Sequence, residues 1–262
     1  MKKIFAFSLL LLMLFGAFLL PVGAAGKSFS WYCVHVKDHV QPRADAALSF
    51  VENHGGFYID HAHTDYASDD KVIYLTFDVG YENGNVAKVL DAMKEEGVTG
   101  AFFVLGHVIE KNTDLVRRMA DEGHLVCNHT VRHKDMSGAD EETFLAELHA
   151  LEDLYREKIG GEMAHYYRPP EGRFSQNNME NAEKNGYKTI FWSFAYPDWD
   201  NQKQMDAERA RSVILDNVHN GEVMLLHPTS STNAEILGDV IRTLKAGGWR
   251  FGTLDELTAE AP

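Results

Sequence analysis

The stretch Ile73-Tyr-Leu-Thr-Phe-Asp-Val-Gly-Tyr-Glu-Asn-Gly84 decides how this chain is read. With Val72 in front, its first half is almost unbroken apolar and β-branched sequence, the pattern of a strand buried on both faces. Asp78 interrupts the run where the strand should end, and Gly80 lets the chain turn. A carboxylate at the carboxyl end of a buried strand stands in partly desolvated surroundings. That predicts a raised pKa and a role as general base. The alternative is a cap on the next helix or turn, and the rest of the chain has to decide between them.

Downstream of Val72 a regular alternation begins. Strand patterns at 100–104, 124–127, 165–168, 189–193, 223–227 and 250–253 follow the first. Helical patterns at 85–96, 113–122, 141–158, 175–186, 206–218 and 233–246 lie between them. In the helix over 141–158, Phe144, Leu148, Leu151 and Tyr155 recur at three- and four-residue spacing, which makes one apolar face. Seven strands alternating with six helices imply parallel pairing through right-handed crossovers. Polar residues cluster just after the strands, so a distorted (β/α) barrel with about seven parallel strands is favoured over an open sheet. Function then sits at the carboxyl ends of the strands.

Upstream the sequence changes character. Lys2 and Lys3, the apolar run 4–20 and the small residues Val22-Gly23-Ala24-Ala25 read as a secretory signal over 1–25. An uncleaved anchor is the alternative, at the short limit for a membrane span. Residues 26–70 scatter Trp31, Tyr32, Phe57 and Tyr58 among polar residues, with one possible helix at 44–53. They read as an N-terminal extension whose aromatics pack on the main domain. His61 and His63 flank Ala62 in an acidic loop, which reads as solvated rather than metal-binding. An exported, extracytoplasmic protein is expected, with the membrane involved only through an uncleaved signal. Lysine and arginine number 25 against 39 aspartates and glutamates, so nucleic acid and anionic lipid are poor partners. Cys33 and Cys127 allow at most one disulfide, and Cys127 reads as a buried small hydrophobe.

Four loops then carry chemistry besides Asp78. Asn128-His-Thr-Val-Arg-His133 follows the third strand, and two imidazoles four apart can hold one divalent ion. Arg168-Pro-Pro-Glu-Gly172 follows the fourth, where stiff prolines can fix Arg168 as a fork for a carboxylate. Trp192-Ser-Phe-Ala-Tyr-Pro-Asp-Trp199 supplies an aromatic wall with one acid, and Met224-Leu-Leu-His-Pro228 places His227 at a strand end. Each has an ordinary structural explanation taken alone. In a parallel barrel all five converge on one rim, which predicts one active site.

Together these motifs, Thr-Phe-Asp-x-Gly, His-Thr-x-x-x-His, Arg-Pro-Pro-x-Gly, Asp-Trp and Leu-Leu-His, resemble those of the polysaccharide deacetylases, the NodB-homology family (carbohydrate esterase family 4). More narrowly, Phe77-Asp-Val-Gly-Tyr-Glu-Asn-Gly84, Tyr167-Arg-Pro-Pro170 and the 191–200 stretch resemble the δ-lactam-biosynthetic de-N-acetylases of spore formers. The resemblance covers roughly residues 28–257, with the catalytic domain at 71–257. It implies that Asp78 takes a proton from water while His129 and His133 hold a divalent metal ion, zinc or another first-row transition metal. Arg168 would orient Asp78, and Asp198 would pair with His227, the acid for the leaving amine. Trp199 and Leu226 would line the acetyl pocket, and a backbone N–H near Glu171 would face the oxyanion. His107 stays unassigned.

One departure stands out. The family's usual second Asp, the third metal ligand, is Val79 here, which has no ligand atom. Weak metal binding is therefore expected, tightened by Val79→Asp if that side chain faces the two imidazoles. The resemblance implies a monomeric, exported hydrolase acting on peptidoglycan glycan strands, most narrowly on peptide-stripped N-acetylmuramic acid on the route to muramic δ-lactam. The alternatives are a deacetylase of chitin oligomers or wall N-acetylglucosamine, and a non-catalytic glycan-binding protein motivated by Val79. Retention of Asp78, Arg168, Asp198 and His227 together argues against the binder.

Overall fold

The structure, a computed structural model, describes residues 27–259. The secretory-signal reading of 1–25 lies outside the described residues. Among the described residues no helix is long and apolar enough to cross a membrane.

The seven expected strands are all present: β3 (Lys71–Val79), β4 (Ala101–Val104), β5 (Leu125–Asn128), β6 (Ala164–Tyr167), β8 (Lys188–Ile190), β9 (Glu222–Leu226) and β10 (Trp249–Phe251). All pair in parallel. β3 takes β9 along one edge, while β10 and then β4 share the other, end to end. The ring runs on through β5, β6 and β8. It closes where Phe194, just beyond β8, forms a parallel bridge with Met224 of β9. This is a distorted (β/α) barrel.

Side chains alternate across the barrel wall because the strand period is two. Ile73, Leu75, Phe77 and Val79 of β3 join the outer apolar layer. There they meet the helices α1 (Asn85–Glu95), α2 (Gly106–Lys111), α3 (Thr113–Asp121), α6 (Ala207–Asn217) and α7 (Ser231–Ala246). Val72 and Tyr74 face the lumen and pack with Phe103, Cys127, Ile190 and Val223. Above them the same face carries Thr76 and Asp78, so the lumen is apolar below and polar at the carboxyl rim. The helix α4 (Glu141–Lys158) begins at Asp140, which accepts from the Thr143 N–H at 2.8 Å. It buries Phe144 and Leu148 in a satellite cluster with Tyr167 and Tyr187. The short α8 (Leu254–Leu257) follows β10.

The N-terminal segment completes the wall. β2 (Gly56–Phe57) pairs in parallel with β8, on the edge that Phe194 later turns toward β9. β1 (Ser28–Ser30) pairs antiparallel with β7 (Arg173–Ser175), which leads into α5 (Gln176–Lys184). Trp31, Leu48, Val51, Tyr58 and Ile59 bury themselves against Phe174, Met179 and Phe191. Trp31 stacks on Phe191 at 4.6 Å between ring centroids. The possible helix at 44–53 is a 3-10 helix over Ala46–His54. Cys33 and Cys127 are free thiols, the latter inside the barrel.

Candidate active site

Asp78 ends the inward-facing row of β3, and beside it the guanidinium of Arg168 is completely buried. Arg168 Nη1 donates to Asp78 Oδ1 at 2.9 Å, and Nη2 donates to Thr76 Oγ1 at 2.9 Å. Its Nε donates to the Ile190 carbonyl, and the group lies 4.2 Å from the centre of the Phe103 ring. Burial alone would push the Asp78 carboxyl up. The charge of Arg168, reinforced from His227, more than offsets this and holds it below the ordinary value. The expected upward shift is therefore corrected: the desolvation is real, but a charged partner enters the same low-dielectric space.

With Oδ1 engaged, Asp78 Oδ2 faces His129 Nε2 at 3.5 Å. The other ring nitrogen of His129, Nδ1, donates to the Arg168 carbonyl at 2.8 Å, which fixes the tautomer and leaves a lone pair on Nε2. Burial pushes His129 down to about 4, so the ring is neutral near pH 7. His133 lies edge-on to it, 4.9 Å between ring centroids. Their loop is held in an unusual shape: Thr130 and His133 both have positive φ, and Thr130 Oγ1 accepts from the His133 N–H.

Across the pocket His227 follows β9. Its Nδ1 donates to Asp198 Oδ1 at 2.7 Å and its backbone N–H to Oδ2 at 2.7 Å. Burial lowers the imidazole's pKa, but the Asp198 carboxylate outweighs it, so the net shift is upward. Nδ1 is thus committed to Asp198, and Nε2 is the nitrogen left for the pocket.

These groups line a cavity of about 590 Å³ with Tyr81, Glu171, Gly172, Trp192, Tyr196, Trp199, Leu225 and Thr229. Glu171 is held at φ 56° beside Gly172 at φ 64°. A side chain at Gly172 would meet Trp192 Cη2 at 2.8 Å, so only glycine lets the aromatic wall approach.

Of the residues singled out, Asp78, His129, His133, Glu171, Trp199 and His227 share this pocket. Arg168 and Asp198 stand directly behind Asp78 and His227. Leu226 does not line it. It points into the outer apolar layer, and its neighbour Leu225 takes the wall position. One residue along a strand exchanges the two faces, and spacing alone did not settle the register. Val79 is buried in the outer apolar cluster and is not among the residues that line the cavity, so it does not meet the proviso on Val79→Asp as a pocket-facing side chain. Tyr81, Trp192 and Tyr196 were not foreseen as individual site residues; only the aromatic density of 192–199 signalled part of this wall.

A divalent ion fits the donor set present. Two imidazoles open on the pocket, His129 and His133, suit zinc or another first-row metal. Among the described residues no group of three His, Cys, Asp or Glu forms a metal cluster, so water or substrate would complete the sphere.

Residues 65–190 match the family described as polysaccharide deacetylase. A Bacillus subtilis protein named peptidoglycan-N-acetylmuramic acid deacetylase PdaA is 38% identical over 253 residues, covering 93% of each chain. The chain belongs to the polysaccharide deacetylase family. A Bacillus cereus peptidoglycan-N-acetylglucosamine deacetylase is 30% identical over 71% of this chain and 67% of its own. The solved structure of B. subtilis PdaA, a family 4 carbohydrate esterase, superposes with a TM-score of 0.82 at 36% identity. It covers 88% of this chain and 97% of that one. As a polysaccharide deacetylase, this chain is a hydrolase that cleaves acetyl groups from glycans.

Proposed function

We propose that this deacetylase hydrolyses the acetamido group of peptidoglycan N-acetylmuramic acid whose stem peptide has been removed. The observation that carries the chemistry is the pair of opposed groups, Asp78 with Arg168 behind it and His227 with Asp198 behind it, on one cavity. The named activity of the 38% identical relative supports the muramic acid assignment.

In this reading Asp78 Oδ2 accepts a proton from the attacking water as its oxygen bonds to the acetyl carbon. A backbone N–H near Glu171 stabilises the oxyanion that forms. His227 Nε2 then donates a proton to the amide nitrogen as the C–N bond breaks, releasing acetate and a free amine. His129 and His133 are the residues that would hold a divalent ion, which when bound polarises the carbonyl and the water. Trp199 and Leu225 border the acetyl group. The freed amine can close on the lactyl carboxylate to give muramic δ-lactam, and the protein would work as a monomer outside the cytoplasm. The domain division at 26–70 and 71–257 belongs to the same proposal.

Incubation with peptide-free and peptide-bearing muropeptides tests it: a product lighter by one acetyl is expected only from the peptide-free strand. A second reading, wall N-acetylglucosamine as substrate, is favoured by the 30% identical relative. Efficient deacetylation of peptide-bearing strands at N-acetylglucosamine would establish that reading instead.

A further inference from the structure

We infer that Asn233 is a positioning residue that holds the Asp198 carboxylate in the plane His227 requires. The inference rests on the proposed acid role of His227.

Asn233 lies in the first turn of α7, almost fully buried, and its backbone N–H donates to Ser230 Oγ at 3.0 Å. Its Nδ2 donates to Asp198 Oδ2 at 2.6 Å and to the His227 carbonyl at 3.1 Å. Two acceptors on one side settle which end of the amide is NH₂, since the flipped amide would set its oxygen against a carboxylate. The amide oxygen then accepts the hydroxyl proton of Tyr196, a residue of the pocket wall. Tyr196, Asn233, Asp198 and His227 form one chain of hydrogen bonds from the wall to the imidazole.

The consequence is geometric. The carboxyl torsion of an aspartate is broad, so the Nδ1 contact alone leaves Asp198 free to rotate. The His227 N–H and the Asn233 amide both fix Oδ2, which leaves Oδ1 aimed at Nδ1 and Nε2 aimed at the pocket. A charge-assisted bond in a buried setting is strong enough to do this.

The test uses metal-loaded enzyme, with kcat and KM measured on the acetamide and on an acetyl ester with a good leaving group. Asn233→Ala should lower kcat on the amide about 10²-fold, the scale of a misplaced catalytic group. KM should hold, as should the ester rate, because that leaving group needs no proton. Equal losses on both substrates, or none, overturn the inference. His227→Ala run in parallel separates the two claims, since equal losses there overturn the acid role itself. If Asn233→Ala does not fold, Tyr196→Phe carries the test by removing only the hydroxyl that orients the amide. An amide-selective fall in kcat is expected, and wild-type kinetics contradict the positioning chain.

Discussion

Arg168 Nη1 sits 2.9 Å from Asp78 Oδ1 inside a barrel that excludes water from the guanidinium altogether. The pair joins stability to catalysis, because the charge that permits Asp78 to stay ionised is also held in place by it. Arg168→Met should destabilise the fold by about 3–5 kcal/mol, the cost of leaving a buried charge unpaired. The folded pKa of Asp78 is depressed, so its contribution is complete above the unfolded value of about 3.9 and is lost as pH falls through the folded value. Denaturant titration should therefore show the gap between wild type and variant narrowing below pH of about 4. A gap independent of pH would mean the loss is packing alone.

His227 carries the opposite sign. Its pKa is raised by Asp198, and as an acid it works only while protonated. The rate should fall as pH rises through that value. Asp198→Asn removes the charge that supports the proton, so the alkaline limb of the kcat profile should move to lower pH. An unmoved limb would assign it to another group.

Val79 was the position where a missing metal ligand invited repair. Its side chain is instead buried in the apolar cluster that includes Phe77 and Val104, so Val79→Asp would place a carboxylate among apolar side chains. The expected outcome is a loss on the order of 3–5 kcal/mol in unfolding experiments. Calorimetric titration of metal-free protein should show no gain in affinity. Tighter binding with unchanged stability would mean the strand end turns Val79 toward His129 and His133.

Much of this was legible in the chain. The seven principal strands and their helices follow from apolar periodicity and glycine stops, and parallel topology then gathers the motif residues on one rim. What was not legible depends on neighbours distant in sequence. Leu225 and Leu226 are both apolar, and only the pairing of β9 with β3 says which faces the pocket. The depressed pKa of Asp78 needs Arg168, ninety residues away, at hydrogen-bond distance. β1, β2 and β7 are two or three residues long, too short for periodicity to mark; β2 takes the edge of β8, while β1 and β7 pair with each other. Asn233 looked like an ordinary first-turn residue of a helix until Asp198 was placed against it.

The central claim is that Asp78 is the base that activates water in this pocket. The direct measurement is the rate of acetate release from peptide-free muropeptide by Asp78→Asn, with folding and metal content checked in the same preparation. The account predicts a fall of about 10²–10⁴-fold, the usual cost of losing a general base, in a protein that still folds and still binds its ion. Near-wild-type turnover by Asp78→Asn would contradict it.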